Sequence, residues 1–211
     1  MASTPTTGSA LRTTPAKSTA SVVPIPPETR AIIKDMTGLD CATSADLPAE
    51  LILFQLLDPV DLSALGSVRT LKLRQCFRLT DVSALGGVNE LWLTYCSQVR
   101  DVSALGTVSV LKLQWCAGIT DVSALGQVED LTLTGCTGIT DVSALGTVKK
   151  LALTQCPALV DVSALGGVET LDLSRCLRIT DVSALGTVRT LNLRGCTGVT
   201  DVSALGTVRT L

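Results

Sequence analysis

The residues with the most chemistry to offer are eight cysteines, and their spacing argues against using it. Cys41 stands alone. Cys76, Cys96, Cys116, Cys136, Cys156, Cys176 and Cys196 follow at one constant interval of twenty positions. A zinc cluster draws its ligands from Cys-x2–4-Cys pairs, and the chain has none. A disulfide framework in a short secreted chain has irregular spacings. Equal spacing instead gives each cysteine the same place in a repeated unit, where it reads as a small buried hydrophobe in a reducing, cytoplasmic setting. There is no histidine, so neither a Ser–His nor a Cys–His pair can form. A row of aspartates at Asp81, Asp101, Asp121, Asp141, Asp161, Asp181 and Asp201 is better explained as turn caps than as paired catalytic carboxylates. No glycine-rich phosphate loop occurs. The chain reads as no enzyme, with no cofactor and no metal.

What remains is the chemistry of recognition. The five aromatic residues include Trp92, Tyr95 and Trp115, close to Lys72, Arg74, Glu90 and Lys112. Exposed Trp and Tyr beside Arg are the residue types that dominate interface energetics. These seven are the candidate partner-binding residues, for a protein whose identity the sequence does not name. Phe54 and Phe77 are expected to pack near the N-terminal cap.

The repeat must position them. From Asp61 onward the block Asp-Val-Ser-Ala-Leu-Gly recurs at every twentieth position, with Leu62 in place of Val in the first copy. A strict period in this range is the mark of a stacked repeat array. Leu71-x-Leu73 alternates as a short strand does. Asp81 can cap a turn over Val-Ser-Ala-Leu, expected to be one turn of helix or 3₁₀ helix, and Gly86 is expected to end it by tolerating a backbone reversal. Stacked coils share one core, and their strands form a parallel sheet. At about 4.8 Å per strand, seven complete units make it about 34 Å long. The outward positions between the leucines vary from unit to unit while the frame does not, as a binding surface would.

The unit Val68-x-x-Leu71-x-Leu73-x-x-Cys76-x-x-Leu79 resembles the leucine-rich repeat, and its cysteine, followed by Ile-Thr-Asp as in 139–141, resembles the cysteine-containing subclass of F-box proteins. Twenty residues per unit is short for that subclass, so a full helix on the convex side is not expected. The Asp-Val-Ser-Ala-Leu-Gly block also looks like the convex segment of internalins. The resemblance implies an α/β solenoid that binds a protein through its strand face. An internalin-like surface or secreted recognition protein is one alternative.

Ahead of the array, residues 28–60 read as a helical cap. One helix is expected over 28–36. A second is expected over 47–57, with Asp46 as N-cap, Pro48 in its first turn and Asp58-Pro59 as its stop. Leu47-Pro48-x-Glu50-Leu51 and the residues to Val68 also resemble the first half of an F-box, spacing aside. That resemblance implies, as another alternative, a substrate-recognition subunit of a cullin–RING ubiquitin ligase. Residues 1–27 are rich in Ser, Thr and Pro without an acidic residue, and read as a disordered tail or an organellar import signal. A net charge of −2 offers no basic stripe for nucleic acid. The longest apolar run, 51–54, is far short of the roughly 20 residues that cross a membrane. At the other end the chain stops at Leu211, part-way into a further strand, so this end is expected to fray, to be covered by another chain, or to continue.

Overall fold

A computed structural model describes residues 22–56 and 60–211. Eight parallel strands lie side by side in sequence order: β1 Glu50–Phe54, β2 Thr70–Arg74, β3 Glu90–Thr94, β4 Val110–Gln114, β5 Asp130–Thr134, β6 Lys150–Ala152, β7 Thr170–Asp172 and β8 Thr190–Asn192. Each strand pairs with its equivalent in the next unit, as in Leu71↔Leu91 and Leu73↔Leu93. The return path carries a short 3₁₀ turn, such as Ser83–Gly87. Leu71, Leu73, Cys76, Val82, Leu85 and Val88 all point inward and are buried, and so are their equivalents through β7. No single coil could enclose these side chains. Stacking makes one continuous core, the physical basis of a solenoid.

Three repeated contacts set the frame. The Asp81 carboxylate accepts the Ser83 N–H at 2.8 Å, and every later Asp of the row repeats the bond. Each thiol from Cys96 on reaches back to a leucine carbonyl of the preceding coil, as Cys136 Sγ does to Leu113 O at 3.4 Å and Cys176 Sγ to Leu153 O at 2.8 Å. The bond thus gives each buried sulfur a polar partner across the seam between coils. The third contact corrects the expectation for Gly86, which is not in the left-handed region. A Cβ there would lie 2.4 Å from the Ala104 carbonyl oxygen, so glycine serves the close approach of the next coil.

The cap departs from expectation. Its first helix, α1, spans Pro27–Thr37, close to the expected 28–36, with Pro27 in its first turn and Gly38 closing it in the left-handed conformation. The helix expected over 47–57 is instead strand β1 across 50–54. Leu51 and Leu53 are buried, Ile52 and Phe54 face outward, and the register Leu51↔Leu71 makes this one more coil of the array. Ladder bonds to β2 and burial of two leucines outweigh a local helical preference. Asp46 does cap, but it caps a 3₁₀ turn, Ser44–Asp46, accepting the Thr43 N–H at 2.9 Å. The tail boundary also moves. Ile25 is buried, and its N–H donates to Ala42 O at 3.0 Å, so these residues belong to the cap. The remainder of the tail reading, over 1–21, and the stop at Asp58-Pro59 lie outside the described residues.

Candidate binding face

Period-two alternation buries the leucines and turns Lys72, Arg74, Glu90, Trp92 and Lys112 to the open face of β2–β4. The structure brings these residues together around Trp92. Lys72 Nζ and Lys112 Nζ, from the strands on either side, lie 4.5 and 4.3 Å from its ring centroid. The indole Nε1 donates to Glu90 Oε1 at 2.8 Å, and Lys72 Nζ donates to Glu50 Oε1 at 2.6 Å. Arg74 lies over the Phe54 ring at 5.8 Å. Each cation–π contact contributes about 0.5–1 kcal/mol at an exposed site, enough to hold long side chains in place. Phe54 and Phe77, expected to pack near the cap, are 44% and 51% exposed, because neither points into a coil.

Tyr95 and Trp115 follow the ends of β3 and β4 rather than standing within them. Both have left-handed backbone, with φ of 58° and 57°. Non-glycine residues rarely adopt it, yet Gln55, Gln75, Gln155 and Arg175 share it. The frame imposes it: the Tyr95 N–H donates to Gln114 O at 2.9 Å and the Trp115 N–H to Thr134 O at 2.7 Å. The consequence is a side chain carried out over the next coil. The Tyr95 and Trp115 rings stack with centroids 6.2 Å apart and planes within 10°. The coil beyond has Gly135, φ 66°, where a Cβ would fall 2.4 Å from the Trp115 ring. Gly135 is therefore the floor of this aromatic ledge. Tyr95 and Trp115 remain 45% and 40% exposed, open to a partner.

Charge is divided between the two sides of the solenoid. On the sheet face the cations Lys72, Arg74, Lys112, Lys150, Arg175 and Arg194 outnumber the carboxylates Glu50, Glu90, Asp130 and Asp172, although the chain as a whole is net −2. The convex side carries the row of exposed aspartates. Each is held below the usual carboxylate range by the serine two residues on: the backbone N–H and then the hydroxyl of Ser123 at Asp121, the hydroxyl first at Asp81. The Cys96 and Cys136 thiols are pushed the other way. Burial raises Cys136 to about 11, and the neighbouring Cys116 thiol together with burial raises Cys96 to about 12. Such thiols are poor nucleophiles at neutral pH. Among the described residues no group of His, Cys, Asp and Glu is placed to hold a metal ion, and no helix is long and apolar enough to cross a membrane.

The sequence reading missed Glu50, Ile52 and Phe54, which extend the face by one strand, and the role of Gly135. A signal for the former exists: Leu51-x-Leu53-x-x-Leu56 stands one full repeat ahead of Leu71-x-Leu73-x-x-Cys76.

No family model and no curated protein matches this sequence. Solved structures do. An internalin C2 from Listeria monocytogenes is 24% identical, matching 90% of this chain and 95% of that one with a TM-score of 0.60. The leucine-rich repeat domain of the type III effector XopL is 19% identical over 75% of this chain and 65% of that one, with a TM-score of 0.53. An internalin InlF, also from Listeria monocytogenes, is 18% identical over 78% of this chain, with a TM-score of 0.49, and here the chain spans only 60% of the neighbour. The likeness to the first two establishes the fold, a leucine-rich-repeat solenoid.

Proposed function

We propose that this chain is a non-enzymatic protein-interaction module that holds its partner on the β1–β4 half of the sheet face, through Lys72, Arg74, Glu90, Trp92, Tyr95, Lys112 and Trp115. The observation that carries the proposal is the ring cluster. Three of the chain's five aromatics stand on the open face of two neighbouring coils, braced by cations and a glycine floor rather than folded into the core. Rings held rigid in this way bind with little further loss of side-chain entropy. Proximity labelling or cross-linking in cells with the full chain, against the double variant Trp92→Ala and Trp115→Ala, tests the proposal. The partner set is expected to collapse in the variant, and an unchanged set refutes it.

The eight free, buried cysteines support a reducing, cytoplasmic location over the surface or secreted alternative. Thiol titration of protein from its native source decides between them: free thiols that react only on unfolding fit the first, and disulfides fit the second. The ubiquitin-ligase alternative rests on the residue match at Leu47, Pro48 and their successors alone. Failure of the ligase adaptor to bind the full chain removes it.

A further inference from the structure

On the β1–β4 half of the face two cations have no carboxylate to answer. Lys72 is taken by Glu50. Lys112 meets only the Trp92 ring, and Arg74 only the Phe54 ring, among the described residues. Arg74 belongs to β2 and Lys112 to β4, two strands on and two residues back along the strand. Two strand spacings across and two residues along come to about 12 Å, close to the length of four residues of extended chain. The Tyr95–Trp115 ledge lies at the ends of β3 and β4, beside these cations.

We infer that the occupant of the β1–β4 face is an acidic, extended polypeptide segment that lays two carboxylates, four residues apart and on the same side of the chain, on Arg74 and Lys112 and rests an apolar side chain on the Tyr95–Trp115 ledge. The inference deepens the proposed function and depends on it. Charge complementarity is its first support. The face is net positive on a chain that is net negative, so an anionic segment is drawn to this side and repelled by the aspartate row opposite. The distribution within the face is its second. Glu50, Glu90 and Asp130 run along the strand starts, two residues along the strand from the row that holds the lysines. A nucleic-acid backbone, charged at every step, would have to lie against that acidic row. A peptide carries its charges singly and can place them on the two free cations alone. Gly135 is a positioning residue in this arrangement: it touches no partner but sets the angle of the ledge.

Selection of random 12-residue phage-displayed peptides on the full chain tests the inference. The expected outcome is enrichment of Asp or Glu at positions i and i+4 with an apolar or aromatic residue nearby, and depletion of Lys and Arg. A synthetic peptide of the selected sequence should lose about tenfold in affinity on Arg74→Glu with Lys112→Glu, and about tenfold on Trp115→Ala. Its affinity should also fall as salt is raised from 50 to 500 mM. All variants are first matched to the parent in urea midpoint, since these side chains lie outside the core. Neutral or basic peptides that still require Trp92 and Trp115 overturn the acidic assignment and leave the proposed function standing. Peptides indifferent to Trp92→Ala and Trp115→Ala overturn both. A failure to enrich any peptide, or binding of a 20-nucleotide oligo-dT that is lost on the same charge reversals, overturns the acidic-peptide inference.

Discussion

The two halves of the sheet face share one backbone and differ in how their side chains are satisfied. From β5 to β8 several outward polar groups answer one another. The Thr154 hydroxyl donates to Thr134 at 2.8 Å, Asn192 Nδ2 donates to Asp172 at 3.0 Å, and Asp172 also accepts the Ser174 N–H at 2.8 Å. From β1 to β4 the outward groups include half-exposed rings, and cations that lie on rings instead of carboxylates. The frame beneath is the same in both halves. What separates the candidate site from the rest of the face in this molecule is therefore its rings and the cations set on them, and not a change of fold.

Substitutions can break that comparison or sharpen it. The largest effect should come from the frame and should be equal in the two halves. Adding a Cβ at Gly86 or Gly166 would place it 2.4 or 2.5 Å from the carbonyl of the next coil, so Gly86→Ala and Gly166→Ala should each cost about 1–3 kcal/mol in urea unfolding. Gly206→Ala, with nothing within 4 Å, should cost far less. Unequal costs in the two halves would mean that the frame is not the constant it looks.

Gly135→Ala probes the aromatic half alone. It should destabilise by about 1–3 kcal/mol through left-handed strain and should tilt Trp115 off its floor. Near-ultraviolet circular dichroism reports the tilt, since Trp115 is one of only two tryptophans. An unchanged spectrum would show that the ring does not rest there. Asn192→Ala probes the polar half, where the part-buried bond to Asp172 and the bond accepted from the Arg194 N–H are both lost. About 0.5–1.5 kcal/mol per bond is expected and no spectral change, because no ring is near.

The smallest single-site effect lies on the convex side. Each aspartate of the row has its folded pKa below the unfolded value, so its contribution is complete above the ordinary carboxylate range and is lost as pH falls through the lower folded value. Far-ultraviolet circular dichroism should hold steady down to about pH 4 and fall below it. Asp121→Asn keeps a neutral acceptor for the Ser123 N–H but loses the stabilisation that the charged carboxylate adds, so it should raise the midpoint of the acid transition slightly. A fall would contradict the capping role.

By itself the sequence determined the coil. The twenty-residue period, the alternation Leu71-x-Leu73, the inward cysteines and the capping aspartates could all be read without coordinates, because each reports a constraint satisfied within a coil or between identical coils. Five of the seven candidate residues could also be placed on the strand face by parity alone. Tertiary structure decided the rest. Residues 50–54 became a strand because β2 offered them a ladder, which local preference does not register. Gly86 proved to serve a close approach between coils, a contact between residues nearly a full repeat apart. The orientation of Tyr95 and Trp115 depended on a left-handed backbone imposed by strand-end hydrogen bonds and on a glycine one coil away. The pairing of Lys72 with Glu50, which left Lys112 and Arg74 as the cations of β2–β4 without a carboxylate, followed from the strand that local preference had read as a helix.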